Sequence, residues 1–420
     1  MNRTPAGERV HIAFFGRRNA GKSSLMNAFT GQELSVVSPT EGTTTDAVYK
    51  AMELLPLGPV VLIDTPGLDD TGELGEKRIE KARQVMRKTD IAIVVADGTA
   101  PLGGTERELI SEFEKRAIPW LLVYNKEDLA EKLPEDGKAD GTEKIPEGGR
   151  ADLTEKFSEK TEEGGKTLRV SAATGFHIRE LKERVAAMLP GEEKEMPLIG
   201  DLIEEGDTVV LVVPIDAGAP KGRLILPQQQ MIRGILEAGA FSVVCRDTEL
   251  EQALQRLVSP PKLVITDSQV FGKVNRIVPE SVPLTSFSIL MARYKGDLSL
   301  LAEGAAAIEQ LRDGDRVLIC EGCTHHRQCE DIGTVKLPNL IRHYTKAEPE
   351  FLFTSGTEFP TDVSDFKLAV HCGGCMLNRR EMRYRLECCR KQGIPVTNYG
   401  VLIAYINGIL ERTMGIFQKG

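Results

Sequence analysis

The sequence predicts an α/β protein: a P-loop domain built on a mostly parallel sheet, followed by two smaller α/β domains. Three observations carry this expectation. Short β-branched runs alternate with helical stretches from Val10 to about Pro190, the pattern of strands and crossover helices in a parallel sheet. Most of those runs end just before a glycine-rich or polar segment, which is where open parallel sheets place their ligands. A length of 420 residues also exceeds one ordinary core, so two or three domains are expected.

In chain order, the strands of the first domain (residues 1–196) are read at His11–Phe15, Val60–Ile63, Ile91–Ala96, Trp120–Tyr124 and Leu168–Val170, and a helix over Ile178–Met188 closes it. One segment, 131–166, is poor in apolar residues and repeats at a twelve-residue period, Pro134-Glu135-Asp136-Gly137 being echoed by Pro146-Glu147-Gly148-Gly149. With so little to bury it is expected to be a mobile surface insertion. A second domain, 197–275, reads as strands near Thr208–Val213, Phe241–Val244 and Leu263–Thr266, with helices near Gln228–Ala238 and Glu249–Leu257. The third, 276–420, holds a strand at Arg316–Ile319, a helix over Arg379–Lys391 and a closing helix near Val401–Arg412.

Hydrophobic (41%) and charged (27%) fractions are those of a globular chain. No apolar run is long enough to cross a bilayer and Met1-Asn2-Arg3-Thr4-Pro5 starts no signal-peptide pattern, so a cytoplasmic location is expected. There the eight cysteines stay reduced, which favours metal ligation over a disulfide framework. A net charge of −9 argues against a general affinity for nucleic acid.

Gly16-Arg17-Arg18-Asn19-Ala20-Gly21-Lys22-Ser23 matches the phosphate-binding loop, between a predicted strand and a predicted helix. Its glycines let backbone N–H groups wrap the phosphates, Lys22 is assigned to the β and γ phosphates, and Ser23, followed by Ser24, to magnesium. Asp64-Thr65-Pro66-Gly67 follows: the carboxylate holds magnesium through water, and the Gly67 N–H senses the γ-phosphate. Asn125-Lys126-Glu127-Asp128 selects guanine, because the Asp128 carboxylate accepts two hydrogen bonds from its edge and would be unpaired on adenine. Ser171-Ala172-Ala173 is placed to support the base. Between the first two motifs lies Gly42-Thr43-Thr44-Thr45-Asp46, a switch in which Thr44, rather than Thr43, is favoured to close onto magnesium when the γ-phosphate is present. Lys22, Thr44, Asp64 and Gly67 are thus the expected catalytic residues of a GTPase. Leu68 stands where many GTPases carry a water-orienting glutamine, so hydrolysis should be slow. The Asn19 loop resembles that of GTPases related to tRNA-modifying and ribosome-assembly members, in which this asparagine helps bind K+.

Near the end stand Cys323-Thr324-His325 and His371-Cys372-Gly373-Gly374-Cys375. Two readings compete. Cys320-Glu321-Gly322-Cys323 pairs with Cys372–Cys375 as a four-cysteine zinc set, though the pairs are 48 residues apart. Alternatively Cys323, Cys372 and Cys375 hold an iron–sulfur cluster with one iron left to a weaker ligand. The C-x-x-x-C-x-x-C pattern of radical enzymes is absent. Cys245, Cys329, Cys388 and Cys389 have no matching spacing and are read as structural.

The asparagine-bearing P-loop, a middle segment Leu226-Pro227-Gln228-Gln229-Gln230, and C-x-H followed by H-C-x-x-C together resemble the [FeFe]-hydrogenase maturation GTPases, the HydF family, within the TrmE/Era-like branch of P-loop GTPases. The resemblance covers essentially the whole chain and departs only at 131–166. It implies that 197–275 dimerises and 276–420 binds a [4Fe-4S] cluster on Cys323, Cys372 and Cys375, with His325 or His371 as candidate fourth ligand and Asp267 a third choice. It further implies GTP with Mg2+, a transient diiron precursor carrying CO and CN, and partners: radical S-adenosylmethionine maturases, the apo-hydrogenase, and further copies in a homodimer or dimer of dimers. The competing function is a ribosome- or tRNA-associated GTPase with a structural zinc domain.

Overall fold

The computed structural model describes residues 5–31, 47–67, 73–130, 166–189, 196–215, 224–322 and 332–417. Its contacts divide the chain into one unit over Arg9–Glu193 and another comprising Met1–Glu8 with Lys194–Gly420.

The Arg9–Glu193 unit holds a six-stranded sheet ordered β2-β3-β1-β4-β5-β6, with β1 at Val10–Phe15, β2 Val48–Leu54, β3 Gly58–Asp64, β4 Ile91–Asp97, β5 Trp120–Asn125 and β6 Thr167–Arg169. Successive side chains of a strand face opposite ways, and β1 shows the result. Ile12 and Phe14 join the core under helices Lys22–Thr30 and Ile178–Ala187, while Ala13 and Phe15 join the core under Gly104–Lys115. Strand β2 was not expected; it is antiparallel to β3 and its burial alternates along most of its length. An edge strand half in water lacks the continuous apolar run that betrays the buried parallel ones.

The second unit holds two parallel four-stranded sheets. One is ordered β10-β9-β7-β8, with β7 at Thr208–Val212, β8 Phe241–Cys245, β9 Leu263–Thr266 and β10 Leu284–Ser286. The other is ordered β12-β11-β13-β14, with β11 at Arg316–Cys320, β12 Glu350–Thr354, β13 Leu368–His371 and β14 Val396–Asn398. Val210, Val264, Val317 and Val370, from both sheets, pack into one core with Val401 and Leu402 of helix Tyr399–Ile406. A boundary at 275/276 would cut helix Phe271–Ile277 and part β10 from its sheet, so sheet membership moves the junction past Ser286. The closing helix is two, Tyr399–Ile406 and Leu410–Met414, separated by a turn in which Gly408 takes φ 68°.

Candidate functional sites

In the nucleotide site, β1 delivers the chain into a loop whose backbone demands glycine at two positions. Gly16 takes φ 146°, and a Cβ there would lie 2.2 Å from the Val95 carbonyl oxygen. At Gly21, φ 86°, a Cβ would lie 2.2 Å from Asn125 Nδ2. Lys22, first residue of helix Lys22–Thr30, is buried and donates to the carbonyls of Gly16 (3.1 Å) and Arg17 (2.8 Å), keeping its charge inside the loop. Ser23 Oγ donates to Asp64 Oδ2 at 2.5 Å. Burial pushes the Asp64 carboxyl up, against the Ser23 hydrogen bond and the Lys22 charge. Its other oxygen, Oδ1, is buried and accepts no hydrogen bond among the described residues. A buried hydroxyl–carboxylate pair with an open oxygen suits a hard cation such as Mg2+. A Cβ on Gly67 would meet the Arg18 backbone at 2.9 Å.

The guanine motif is tied to the phosphate loop. Asn125, at the end of β5, donates from Nδ2 to the Ala20 carbonyl (3.2 Å) and accepts at Oδ1 from the Ala172 N–H (3.0 Å). Ser171 Oγ holds Asp128 Oδ1 at 2.5 Å. Ala172 thus serves the asparagine, and Ser171 aims the carboxylate. Asn19 and Lys126 both adopt left-handed backbone, φ 61° and 67°.

Two residues here escaped the sequence reading. Asp97, last in β4, accepts from Lys126 Nζ at 2.7 Å. Burial alone would raise its pKa, but the Lys126 and Thr99 hydrogen bonds outweigh that and lower it to about 2. Fully buried Glu106 receives Arg17 Nε at 2.6 Å and the Gly103 N–H at 3.1 Å, pinning the second residue of the phosphate loop. Both partnerships join positions far apart in sequence, so no spacing announces them. Thr43, Thr44 and Leu68 lie outside the described residues.

At the cysteine site the decisive feature is strand order. β11 and β13 are neighbours with Cys320 opposite His371, so the chains leaving their carboxyl ends, one toward Cys323 and the other into Cys372-Gly373-Gly374-Cys375, emerge side by side. Between the two strands in sequence, the described residues include helix Leu337–Thr345 and β12. Cys372 Sγ accepts the N–H groups of Gly322 (3.0 Å) and Gly374 (3.3 Å), the latter at φ 62°. Burial raises the Cys372 thiol to about 11, the Gly322 amide opposing; Cys375 is also raised by burial, with Lys295 opposing. Such thiols ionise when a metal takes the proton's place, and inward N–H groups beside a buried ammonium suit an anionic iron–sulfur group. Cys323 and His325 lie outside the described residues, and among the described ones no group of three or more His, Cys, Asp or Glu is gathered for a metal.

His371 is engaged elsewhere. Its Nδ1–H donates to the Cys372 carbonyl (2.9 Å) and its Nε2 accepts from Arg385 (3.0 Å), the assignment that acceptor-only carbonyl and donor-only guanidinium require. Burial and the Arg385 charge push its pKa down to about 3. As folded, both ring nitrogens are engaged, so neither has a lone pair free for a metal. Asp267 caps a 3-10 turn by accepting from the Gln269 N–H. Cys320 is buried among Leu318, Phe359 and Leu386, its thiol raised by burial to about 12, in a different core from the one Cys372 borders. That placement weakens the zinc reading.

Comparisons with known proteins follow the same division. A family model described as a 50S ribosome-binding GTPase matches residues 11–126. The hydrogen maturase F dimerization domain matches 198–296 and the hydrogen maturase F tetramerization domain 299–416, together more than half of the chain. The tRNA modification GTPase MnmE of Dechloromonas aromatica is 33% identical over 127 residues, 30% of this chain and 28% of that protein. GTPase Der of Kosmotoga olearia is 34% identical over 127 residues, 29% and 28% of the two chains. The chain thus spans roughly a third or less of the length of these relatives. Among solved structures, a variant of Aquifex aeolicus Era bound to GDP and aluminium fluoride is 19% identical, covering 64% of this chain and 97% of that one at a TM-score of 0.34. The G domain of the T. maritima FeoB iron transporter is 23% identical over 44% of this chain and all of its own, at a TM-score of 0.31.

Fold and site define a P-loop GTPase of the TrmE/Era-like branch that binds GTP with Mg2+ and carries two further α/β domains of an oligomerising kind. The chain belongs to the hydrogen maturase F family. No helix among the described residues is long and apolar enough to cross a membrane.

Proposed function

We propose that this chain is a GTP-gated iron–sulfur scaffold that holds a diiron precursor bearing CO and CN and delivers it to the apo-[FeFe]-hydrogenase. Adjacent strand ends support the reading: β11 and β13 are neighbours, and the Gly322 N–H after the one reaches Cys372 Sγ after the other. Cys323 follows Gly322 directly in sequence. Cys323, Cys372 and Cys375 would hold a [4Fe-4S] cluster, with His325 the remaining histidine candidate for a weak fourth ligand. When bound, such a cluster supplies an iron position open to an exchangeable ligand, which suits temporary cargo. The protein's own part is to bury the sulfurs, aim amides at them and limit access of water.

In the GTPase unit, Lys22 neutralises phosphate charge, Ser23 and Asp64 hold Mg2+, and Thr44 with Gly67 reports the γ-phosphate. Loop ordering of this kind alters a surface that partners recognise, so GTP gates exchange with the radical S-adenosylmethionine maturases and the hydrogenase. Asn19, in left-handed backbone within the phosphate loop, contributes to a K+ site, and hydrolysis is slow and K+-stimulated. Initial GTPase rates in K+ against Na+ at equal ionic strength check this: K+ should be faster several-fold, and equal rates end the claim.

Anaerobic reconstitution tests the scaffold. Wild-type protein should take up about four irons per chain, and Cys375→Ser should lose most of them together with delivery of cargo; undiminished iron and delivery would defeat the reading. In the same delivery assay, an unchanged yield from Lys22→Ala would remove the gating role.

A further inference from the structure

One buried charge is left over by this account, and it sits beneath the cysteine loop. Lys295, last residue of helix Phe287–Lys295, is 1% exposed. Its ammonium donates to the carbonyls of Leu377 (2.6 Å), Cys375 (3.0 Å) and Gly374 (3.3 Å). Glu8 Oε1 lies 3.2 Å away as an ion-pair contact, and Glu8 Oε2 accepts from the Tyr294 hydroxyl at 3.1 Å. Gly7, one residue before, packs so closely on the same loop that a Cβ would lie 2.7 Å from the Leu377 oxygen and 2.9 Å from the Cys375 oxygen.

A lysine buried so completely is unusual, because the charge loses its hydration. Here loop carbonyls and a carboxylate replace the lost water. The arrangement has a geometric consequence. In a trans peptide the N–H points opposite to the C=O, so turning the Gly374 and Cys375 carbonyls onto Lys295 turns the Cys375 and Met376 N–H groups away from it. The same two amides favour the Cys375 thiolate, against the larger effect of burial.

We infer that Lys295 is the positioning residue of the cysteine loop: it grips three carbonyls so that backbone amides face the sulfur, and it supplies a fixed positive charge beside whatever anionic metal group the sulfurs hold. The inference deepens the scaffold reading and rests on it for the identity of that group. It concerns no ligand to the metal; Lys295 acts through the loop. Orientation of ligands by buried partners of this sort is what tunes metal sites generally, and N–H groups and charge near the sulfurs set the potential of iron–sulfur groups.

Two neutral variants separate the roles. Lys295→Met removes charge and donors, while Lys295→Gln removes the charge but keeps a donor, and Lys295→Arg keeps the charge. In metal-free full-length protein, hydrogen exchange of the peptide spanning 374–377 should accelerate at least tenfold in Lys295→Met, with distant peptides unchanged, and less in Lys295→Gln. In iron-reconstituted protein both neutral variants should bind iron with a more negative reduction potential, and Lys295→Arg should restore the wild-type value. Unaltered exchange in a folded neutral variant, or a potential that ignores the charge, would overturn the inference. Wild-type protein that takes up no iron defeats the scaffold reading instead, and the exchange measurement still decides the role of Lys295.

Discussion

Asp97 illustrates how a single side chain links local chemistry to stability. Its carboxylate ends β4 and holds Lys126, the residue between the two polar groups of the guanine motif. Because its folded pKa, about 2, lies below the ordinary 3.8, the unfolded chain binds its proton first as pH falls. The stabilisation is therefore complete above about pH 4 and is lost as pH drops toward 2. Urea midpoints of the GTPase unit measured from pH 5 to pH 2.5 should fall less steeply in Asp97→Asn than in wild type; parallel slopes would count against the pairing. At this scale the motif residues were legible because their chemistry is local: Lys22, Asp64, Asn125 and Asp128 announce themselves by neighbours in sequence. Asp97, Glu106 and Lys295 were not, since each gains its meaning from a partner met only in the fold.

Helix Arg379–Lys391 shows how one element secures the cysteine strand. Arg385, 1% exposed, donates to Glu381 Oε1 (2.8 Å), to His371 Nε2 (3.0 Å) and to the Gly356 carbonyl (2.7 Å). The helix read over Arg379–Lys391 is found there, capped by Asn378, whose side chain accepts the Glu381 N–H. Its binding to β13 through a buried cation was not readable from the sequence. Replacing Arg385 by Met leaves the buried Glu381 charge unpaired, and breaking such a pair costs about 3–5 kcal/mol. Denaturant unfolding of the C-terminal unit should shift accordingly, and a loss under 1 kcal/mol would show that the pair is dispensable. The strands β10, β12, β13 and β14 were missed for a related reason. Runs of three to five residues carry few positions for a period to stand out, so strands this short are read only in part: β9, of four residues, was read and these were not.

Among the described residues each of the two units has apolar cores of its own: one on either face of the six-stranded sheet in the first, and in the second one that joins the two smaller sheets, with two more beside it. Separate cores predict separate melting. Calorimetry of the full chain should resolve two transitions, and a GTP analogue at a hundred times its Kd should stabilise only the one belonging to residues 9–193, by about 2.7 kcal/mol; one transition moving as a whole would refute the division. Sequence by itself determined what each segment could do: a phosphate loop, a guanine clamp and paired thiols are written in contiguous residues whose spacing meets the chemistry directly. It also announced the α/β class, since hydrophobic period is a local property. Only the tertiary structure decided which distant segments meet. The neighbouring of β11 and β13 brings Gly322 to the Cys372 sulfur, while Arg385 occupies His371 and Lys295 sits under the loop, because strand order and burial arise from minimising exposed apolar surface and unpaired polar groups over the whole chain, a condition no short window of residues contains.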